Sequence, residues 1–434
     1  MTMSSEEKEA LGRSECANKP ARPGGPIILV LIGTYLPGYK AGGPIRSVEN
    51  LVRVLGREFH FRIVTLDRDY GDKSPYPNIV VNRWLPVGDA EVMYLRPGLR
   101  SLMHLYTLLR LLDRDTVLYL NSFFSRVFSM FPVLMRWLNL CRVKCLVLAP
   151  RGEFSPGALR LKPIRKSVYI RISQWFGLYD YILWHASSNF EENDILRQFR
   201  LLRQVANANV IPSLIASEEA LQKRQIAVAL DIAGFVPTER EQQRLKMPGR
   251  LRVVFVSRLS RKKNLAGALQ MLRGLSGDVS FDIYGPKEDA VYWKECQGLI
   301  AALPVNIQAR YCGQIEHAKI HQVFADHDLF LFPTLGENYG HVVFEAFVSA
   351  CPVLISDQTP WRGLEALKVG WDLPLSEPER FREVLQQCVD MGSEEHSAMC
   401  VHAAEFGIRC INSPDAIEAN RKLFRRALRM ATSQ

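Results

Sequence analysis

Short apolar runs recur along the chain, each bounded by turn residues and separated from the next by stretches of helical period. Residues 26–33, 61–65, 117–120, 145–148 and 181–184 are too short for helices and carry little polar alternation, the pattern of strands buried on both faces. Between them, 45–55 and 99–112 place Leu, Val and Ile at spacings of three and four, as amphipathic helices do. After a mixed stretch rich in Gln, Glu and Arg, the alternation resumes with strands at 253–257, 279–284, 330–333 and 353–356 and helices at 381–391 and 417–431. Strand and helix in alternation predict parallel, doubly wound sheets, and the interruption predicts two of them.

Composition is compatible with this division. A chain of 434 residues is long for one domain but gives two domains of about 200 residues a substantial core each. The predicted organisation is a tail over 1–24, a first domain over 25–216, a linker over 217–250, and a second domain with terminal helices over 251–434. The tail carries Ser, Glu, Lys, Pro and Gly, with little to bury. Nine cysteines lie scattered without a CxxC pair, so neither a zinc site nor a disulfide framework is indicated. No run of about 18 apolar residues occurs, and the polar, acidic start differs from a signal peptide, so a cytoplasmic protein is expected.

The chemistry concentrates where strands end. Between the strands at 330–333 and 353–356 lies Gly336-Glu337-Asn338-Tyr339-Gly340-His341-Val-Val-Phe-Glu345, with a helix expected from His341. A helix start presents unpaired N–H groups to an anion, and a carboxylate beside it can accept two hydrogen bonds from a vicinal diol. Phosphate next to sugar hydroxyls is the chemistry of a nucleotide-sugar. About eighty residues upstream, the strand at 253–257 runs into a basic loop carrying Arg258 and Lys263. Two cations past the carboxyl end of a strand lie where an open α/β sheet binds ligands, and they suit a diphosphate.

In order along the chain stand Pro37-Gly-Tyr-Lys-Ala-Gly42-Gly43-Pro-Ile-Arg46, Ala149-Pro-Arg151-Gly-Glu153, Arg258 with Lys263, and Glu337 through Glu345. A further segment runs from Thr359-Pro-Trp-Arg-Gly-Leu-Glu365 to Gly370-Trp371. Over roughly residues 26–410 the chain thereby resembles the family 4 glycosyltransferases, retaining nucleotide-sugar enzymes of the GT-B fold; the last segment resembles those that build bacterial exopolysaccharide, capsule and lipopolysaccharide.

The resemblance implies an α/β protein with two Rossmann-like domains facing across a cleft. It implies transfer of a sugar, a hexose for preference, from a nucleotide-diphosphate sugar to a glycan or lipid-linked acceptor. Arg258 and Lys263 hold the diphosphate on this reading, Glu345 the ribose, and Glu337 the transferred sugar. Backbone N–H groups near Asn338, Tyr339, Gly340 and His341 meet sugar and phosphate, and Gly42 and Gly43 allow close approach from the first domain. Arg151 is assigned to the reacting sugar or an acceptor phosphate and Glu153 to the acceptor hydroxyl, with a structural ion pair as the alternative for both. No metal or other cofactor is expected. Where relatives commonly have Asn-Gly between the domains, this chain has Ile211-Pro-Ser-Leu214.

The net charge of +10 is uneven. Residues 96–171 hold fourteen Lys and Arg against three Asp and Glu, an excess of +11, so the remainder is close to neutral. Tyr106, Phe123, Phe124, Phe128, Phe131 and Trp137 are interleaved with these cations. Either the segment docks on the anionic inner face of a membrane, through a subset such as Arg160, Lys162, Arg165, Lys166 and Arg171, or the aromatics are buried faces of helices. Two other functional classes fit parts of the pattern: a sugar-nucleotide epimerase of the same fold, and a nucleic-acid binder suited to the positive charge. No nucleic-acid motif accompanies that charge, and no nucleic-acid partner is expected.

Overall fold

The computed structural model describes residues 25–160, 163–206, 225–234, 245–316, 319–411 and 413–432. The first sheet contains β1 (Ile27–Leu31), β2 (His60–Leu66), β3 (Trp84–Val87), β4 (Ala90–Leu95), β5 (Val117–Asn121), β6 (Cys145–Ala149), β7 (Leu183–Ala186) and β8 (Ile226–Val228). Their order is β3-β4-β2-β1-β5-β6-β7-β8. All pairs are parallel except β3 with β4, a hairpin turning at Gly88 and Asp89.

Alternation along the strands divides the core into two layers. Ile28, Val30, Val117 and Tyr119 face one side, while Leu29, Leu31, Leu118 and Leu120 face the other, each completely buried. The first layer is covered by the helix Gly43–Leu55 through Ile45, Val48, Leu51, Val52 and Leu55. The helix Leu99–Leu111 covers the second with Leu105 and Leu109.

The second sheet contains β9 (Arg250–Val256), β10 (Asp278–Tyr284), β11 (Ile307–Gly313), β12 (Leu329–Phe332), β13 (Val353–Ser356) and β14 (Gly370–Leu373). Its order is β11-β10-β9-β12-β13-β14, parallel throughout. In both sheets the winding reverses beside the first strand, between β1 and β5 and between β9 and β12. A ligand crevice opens at the carboxyl ends of such strands.

Two features differ from the division read in the sequence. β8 and the segment to residue 234, taken there as linker, belong to the first domain, where Asn50 donates to the Ile232 carbonyl. The last helix, Pro414–Thr432, returns to the first domain instead of ending the second. Its Phe424 ring lies 5.6 Å from Phe59, 5.8 Å from Phe61 and 5.4 Å from Tyr119. Arg421 anchors the helix by an ion pair with Glu58 at 2.8 Å. The Ile211–Leu214 segment and residues 1–24 lie outside the described residues.

Candidate active site

The reversal between β9 and β12 brings the two donor-side motifs together. β9 runs into Ser257 and Arg258, then a tight turn at Arg261–Lys263; β12 runs into the loop that precedes the helix His341–Val348. The two loops are tied by backbone and side-chain bonds. Leu335 N–H donates to the Lys262 carbonyl at 2.8 Å, and Asn264 Nδ2 donates to the Pro333 carbonyl at 2.9 Å. Asn264 also caps the following helix by accepting from Gly267 N–H.

This arrangement brings the Lys263 ammonium into contact with Glu337. Their side chains are only 11% and 14% exposed, so each charge depends on the other for compensation. Burial pulls the Lys263 pKa down against the pull of Glu337. Burial alone opposes ionisation of Glu337, but Lys263, Lys262 and Arg258 hold it below the usual carboxylate range. Arg258 is more exposed and reaches Glu288 at 3.0 Å. Glu345 is the fifth residue of its helix, and burial pushes its pKa up to about 7 against the pull of Arg46.

Gly340 starts that helix at φ +77°, a left-handed conformation suited to glycine. Tyr339 is buried, and its carbonyl accepts from Trp361 Nε1 at 2.6 Å. Trp361, from the 359–365 segment, thus sets the course of the loop. Opposite, Gly42 has φ +69° and starts the first domain's Gly43–Leu55 helix. A Cβ on Gly43 would stand 3.6 Å from His341 Cδ2, an ordinary contact, so the glycine loop lies against the second domain.

These residues line one cleft of about 520 Å³ between the domains, including Gly42, Gly43, Arg151, Arg258, Lys263, Glu337, Asn338, Tyr339, Gly340, His341 and Glu345. The candidate set is therefore brought together in full, but its members are engaged differently. Asn338 turns its side chain to the first domain, where Nδ2 donates to Glu191 Oε1 at 2.9 Å. The same oxygen accepts from Gly152 N–H at 2.6 Å, and a Cβ at Gly152 would fall 2.6 Å from Asn338 Oδ1. The domains touch there through a backbone that has no room for a side chain.

Arg151, read in the sequence as a candidate catalytic group, is held in a buried structural network. It donates to Asp231 Oδ1 at 2.6 Å, to the Tyr119 hydroxyl at 2.9 Å and to Asn121 Oδ1 at 3.0 Å. The Tyr119 hydroxyl bonds His185 Nδ1 at 2.7 Å, and His185 Nε2 reaches the Ala229 carbonyl at 2.8 Å. Since that carbonyl can only accept, Nε2 carries the proton and Nδ1 accepts from Tyr119. Burial holds His185 at about 4, which keeps it neutral.

Asp231 Oδ2 accepts from Ser47 Oγ at 2.8 Å, and Ser47 Oγ lies 3.0 Å from His341 Nε2. One buried carboxylate thus joins the β6 loop, the glycine helix and the second domain. Burial opposes its charge, but Arg151 and His341 hold Asp231 far below the usual carboxylate range. Glu153 is engaged too, accepting from Ser122 Oγ at 2.8 Å, Phe123 N–H at 2.5 Å and Phe124 N–H at 3.0 Å. It anchors a loop, and burial pushes its pKa up against the pull of these bonds.

Sequence reasoning missed Ser47, Tyr119, His185, Glu191 and Asp231. A buried polar partner leaves no periodic signal, and Asp231 lay in a stretch whose composition resembles a linker. The nearest available signal was Ser187-Ser188-Asn-Phe-Glu191 directly after a strand, where Glu191 returns to accept from Ser187 N–H at 2.9 Å.

Residues 236–404 match the family described as Glycosyl transferases group 1. Among solved structures, Anabaena HepE in complex with UDP and glucose has a TM-score of 0.61 at 15% identity, covering 92% of this chain and 98% of its own. Sucrose-phosphate synthase from Thermosynechococcus elongatus gives 0.61 at 13% identity, covering 92% and 98%. WaaG, a glycosyltransferase involved in lipopolysaccharide biosynthesis, gives 0.57 at 14% identity, covering 94% and 100%. No protein of curated function matches the chain by sequence. Residues 236–404 are thus similar to the glycosyl transferases group 1 family, and the chain as a whole shares the two-domain GT-B fold of these solved structures.

Proposed function

We propose that the chain transfers a hexose, with retention of anomeric configuration, from a nucleotide-diphosphate sugar to a glycan or lipid-linked glycan during assembly of a surface polysaccharide. The observation that carries this reading is the Lys263–Glu337 pair at the reversal of the second sheet, with Arg258 and Glu345 in the same cleft and the glycine loop opposite. Arg258 and Lys263 stabilise the charge that grows on the diphosphate as the glycosidic bond breaks, an effect strongest in a water-poor cleft. Glu337, held charged by Lys263, accepts from hydroxyls of the transferred sugar, and Glu345 accepts from the ribose. Arg151 orients the cleft through Asp231. The reaction passes through an oxocarbenium-like transition state, with a donor phosphate oxygen taking the acceptor proton.

Labelled nucleotide-sugars, UDP-sugars first given the HepE ligands, incubated with and without lipid-linked acceptors test this directly. Transfer that persists in EDTA supports the reading, because side-chain cations then supply the charge stabilisation. Epimer formation, or salt-sensitive nucleic-acid binding without turnover, would replace it with one of its alternatives.

The Glu345 pKa gives the donor site a pH dependence. A carboxylate raised to about 7 is ionised, and able to accept two ribose hydroxyls, only above that pH. Donor affinity should therefore rise between about pH 6 and 8, and Glu345→Gln should flatten the profile. Stability moves the opposite way. A raised carboxylate's contribution is present below its unfolded value and lost as pH rises through about 7.

Membrane docking belongs to the same proposal, with a revised surface. Phe123 and Phe128 lie in the core, and Tyr106, Phe124 and Phe131 pack against it, so these aromatics serve the fold, Phe123 and Phe124 from the loop after β5 and the others from helices. The helix Pro163–Trp175 instead exposes Ile164 (78%), Val168, Ile172 and Trp175 (88%), with Arg165 and Arg171 also exposed. Phe176 and Trp137 extend the patch, the Trp137 Nε1–H donating to the Phe176 carbonyl at 2.8 Å. Lys166 is turned inward, donating to the Ala158 carbonyl at 2.6 Å. Lys162 and the Arg160 side chain lie outside the described residues. No helix among the described residues is long and apolar enough to cross a membrane.

Each Lys or Arg near an anionic bilayer contributes on the order of 1 kcal/mol, and an apolar stripe flanked by cations lies in the interface. Co-sedimentation should show the protein on phosphatidylglycerol vesicles but not on phosphatidylcholine, with Arg165→Glu/Arg171→Glu weakening it. Equal binding to both vesicles would count against the surface.

A further inference from the structure

The first-domain wall of the cleft carries two tyrosines that the donor chemistry does not use. Tyr39 lies on the loop after β1, three residues before Gly42, and Tyr70 on the loop after β2; both line the cleft. Their side chains are held towards solvent, at 40% and 53% exposure. Asp69, only 6% exposed, fixes both backbones. Its carboxylate accepts from Tyr39 N–H at 2.9 Å, Lys40 N–H at 3.2 Å and Tyr70 N–H at 2.7 Å. A buried carboxylate clamped by three N–H groups joins the two loops as one unit, and that unit presents two rings.

We infer that Tyr39 and Tyr70 form the acceptor platform, and that the acceptor group they hold is a saccharide ring. This deepens the proposed transferase reading and rests on it. A tyrosine ring offers an apolar face to the C–H face of a pyranose and a hydroxyl to its rim. The local charge fits an uncharged group better than a phosphate. Lys40 is paired with Asp72 at 2.6 Å and Arg68 with Asp67 at 2.8 Å, so these two cations next to the rings in sequence are already neutralised. Placement agrees: a sugar on these rings lies beside the glycine loop that faces His341, and so presents a hydroxyl towards a donor sugar held at Glu337.

The test uses the full chain, a radiolabelled nucleotide-sugar, and a panel of octyl glucoside, galactoside, mannoside and N-acetylglucosaminide, with farnesyl phosphate as the sugar-free probe. Transfer to at least one glycoside is expected. Tyr39→Ala and Tyr70→Ala should each raise the acceptor KM about tenfold while leaving the donor KM within about twofold, and Tyr→Phe should retain most of the affinity. An unchanged acceptor KM in both alanine variants, a rise in donor KM instead, or transfer to farnesyl phosphate alone overturns the inference. Transfer to none of the glycosides does so too. Failure of the underlying reading is a separate outcome: no donor then releases nucleoside diphosphate with any acceptor.

Discussion

Arg258→Ala is expected to reduce sugar transfer at saturating donor by roughly two to three orders of magnitude, the scale seen when a group aimed at developing charge is removed. Lys263→Ala should lose as much activity, but the variants should differ in stability. Arg258 is 37% exposed and its partner Glu288 is 32% exposed, so loss of that pair changes folding little. Lys263 is the cation in contact with Glu337, and removing it leaves a largely buried carboxylate with only the more distant Lys262 and Arg258. Arg258→Ala is thus the cleaner probe of catalysis, and a lowered melting temperature should accompany only Lys263→Ala. Near wild-type turnover in both would place the donor site elsewhere.

Asp231→Ala should give the largest stability loss of any single change at the cleft. It strips Arg151 of its only ion-pair partner among the described residues, with both side chains 7% exposed, and takes away the nearer of the two oxygen acceptors of Ser47 Oγ. Breaking such a pair costs about 3–5 kcal/mol, because one charge stays buried alone. Chemical denaturation should show this loss at neutral pH. Asp231→Asn, which keeps the shape and one acceptor oxygen, should lose less. The pH sign follows from the depressed pKa. The contribution is present above the ordinary carboxylate value near about 4 and is lost as pH falls towards the folded-state value, so the gap between wild type and Asp231→Asn should narrow only in strong acid.

The legible parts of the fold were those where one physical rule acts alone. Strands buried on both faces, such as the Leu-Phe-Leu-Phe of β12, announce themselves as unbroken apolar runs. The half-exposed β11, with Ile-Gln-Ala-Arg-Tyr-Cys-Gly, does not, because its pattern alternates along a sheet edge. The last helix reads as amphipathic, but its sequence does not say which core receives Phe424, and chain order suggests the wrong one.

At the site, the residues that follow strand ends and stand out by local pattern line one cleft. Arg151 was read by its neighbourhood in sequence, whereas its role is set by Asp231, eighty residues away. The basic segment behaves in the same way. Its aromatics are mostly core, and the surface that faces outward is the 163–175 helix, whose exposed Ile and Trp depart from the usual polar outer face.

On the proposed function, this cleft breaks a nucleotide-sugar's glycosidic bond and rebuilds it with the same hand. Proton NMR of the product's anomeric centre, recorded during turnover of an α-linked nucleotide-sugar in EDTA, measures it most directly. The expected result is an α-linked product appearing one for one with nucleoside diphosphate, and no such product from Arg258→Ala on the same timescale. A β-linked product, or α-product formed only after Mg²⁺ or Mn²⁺ is restored, would contradict it.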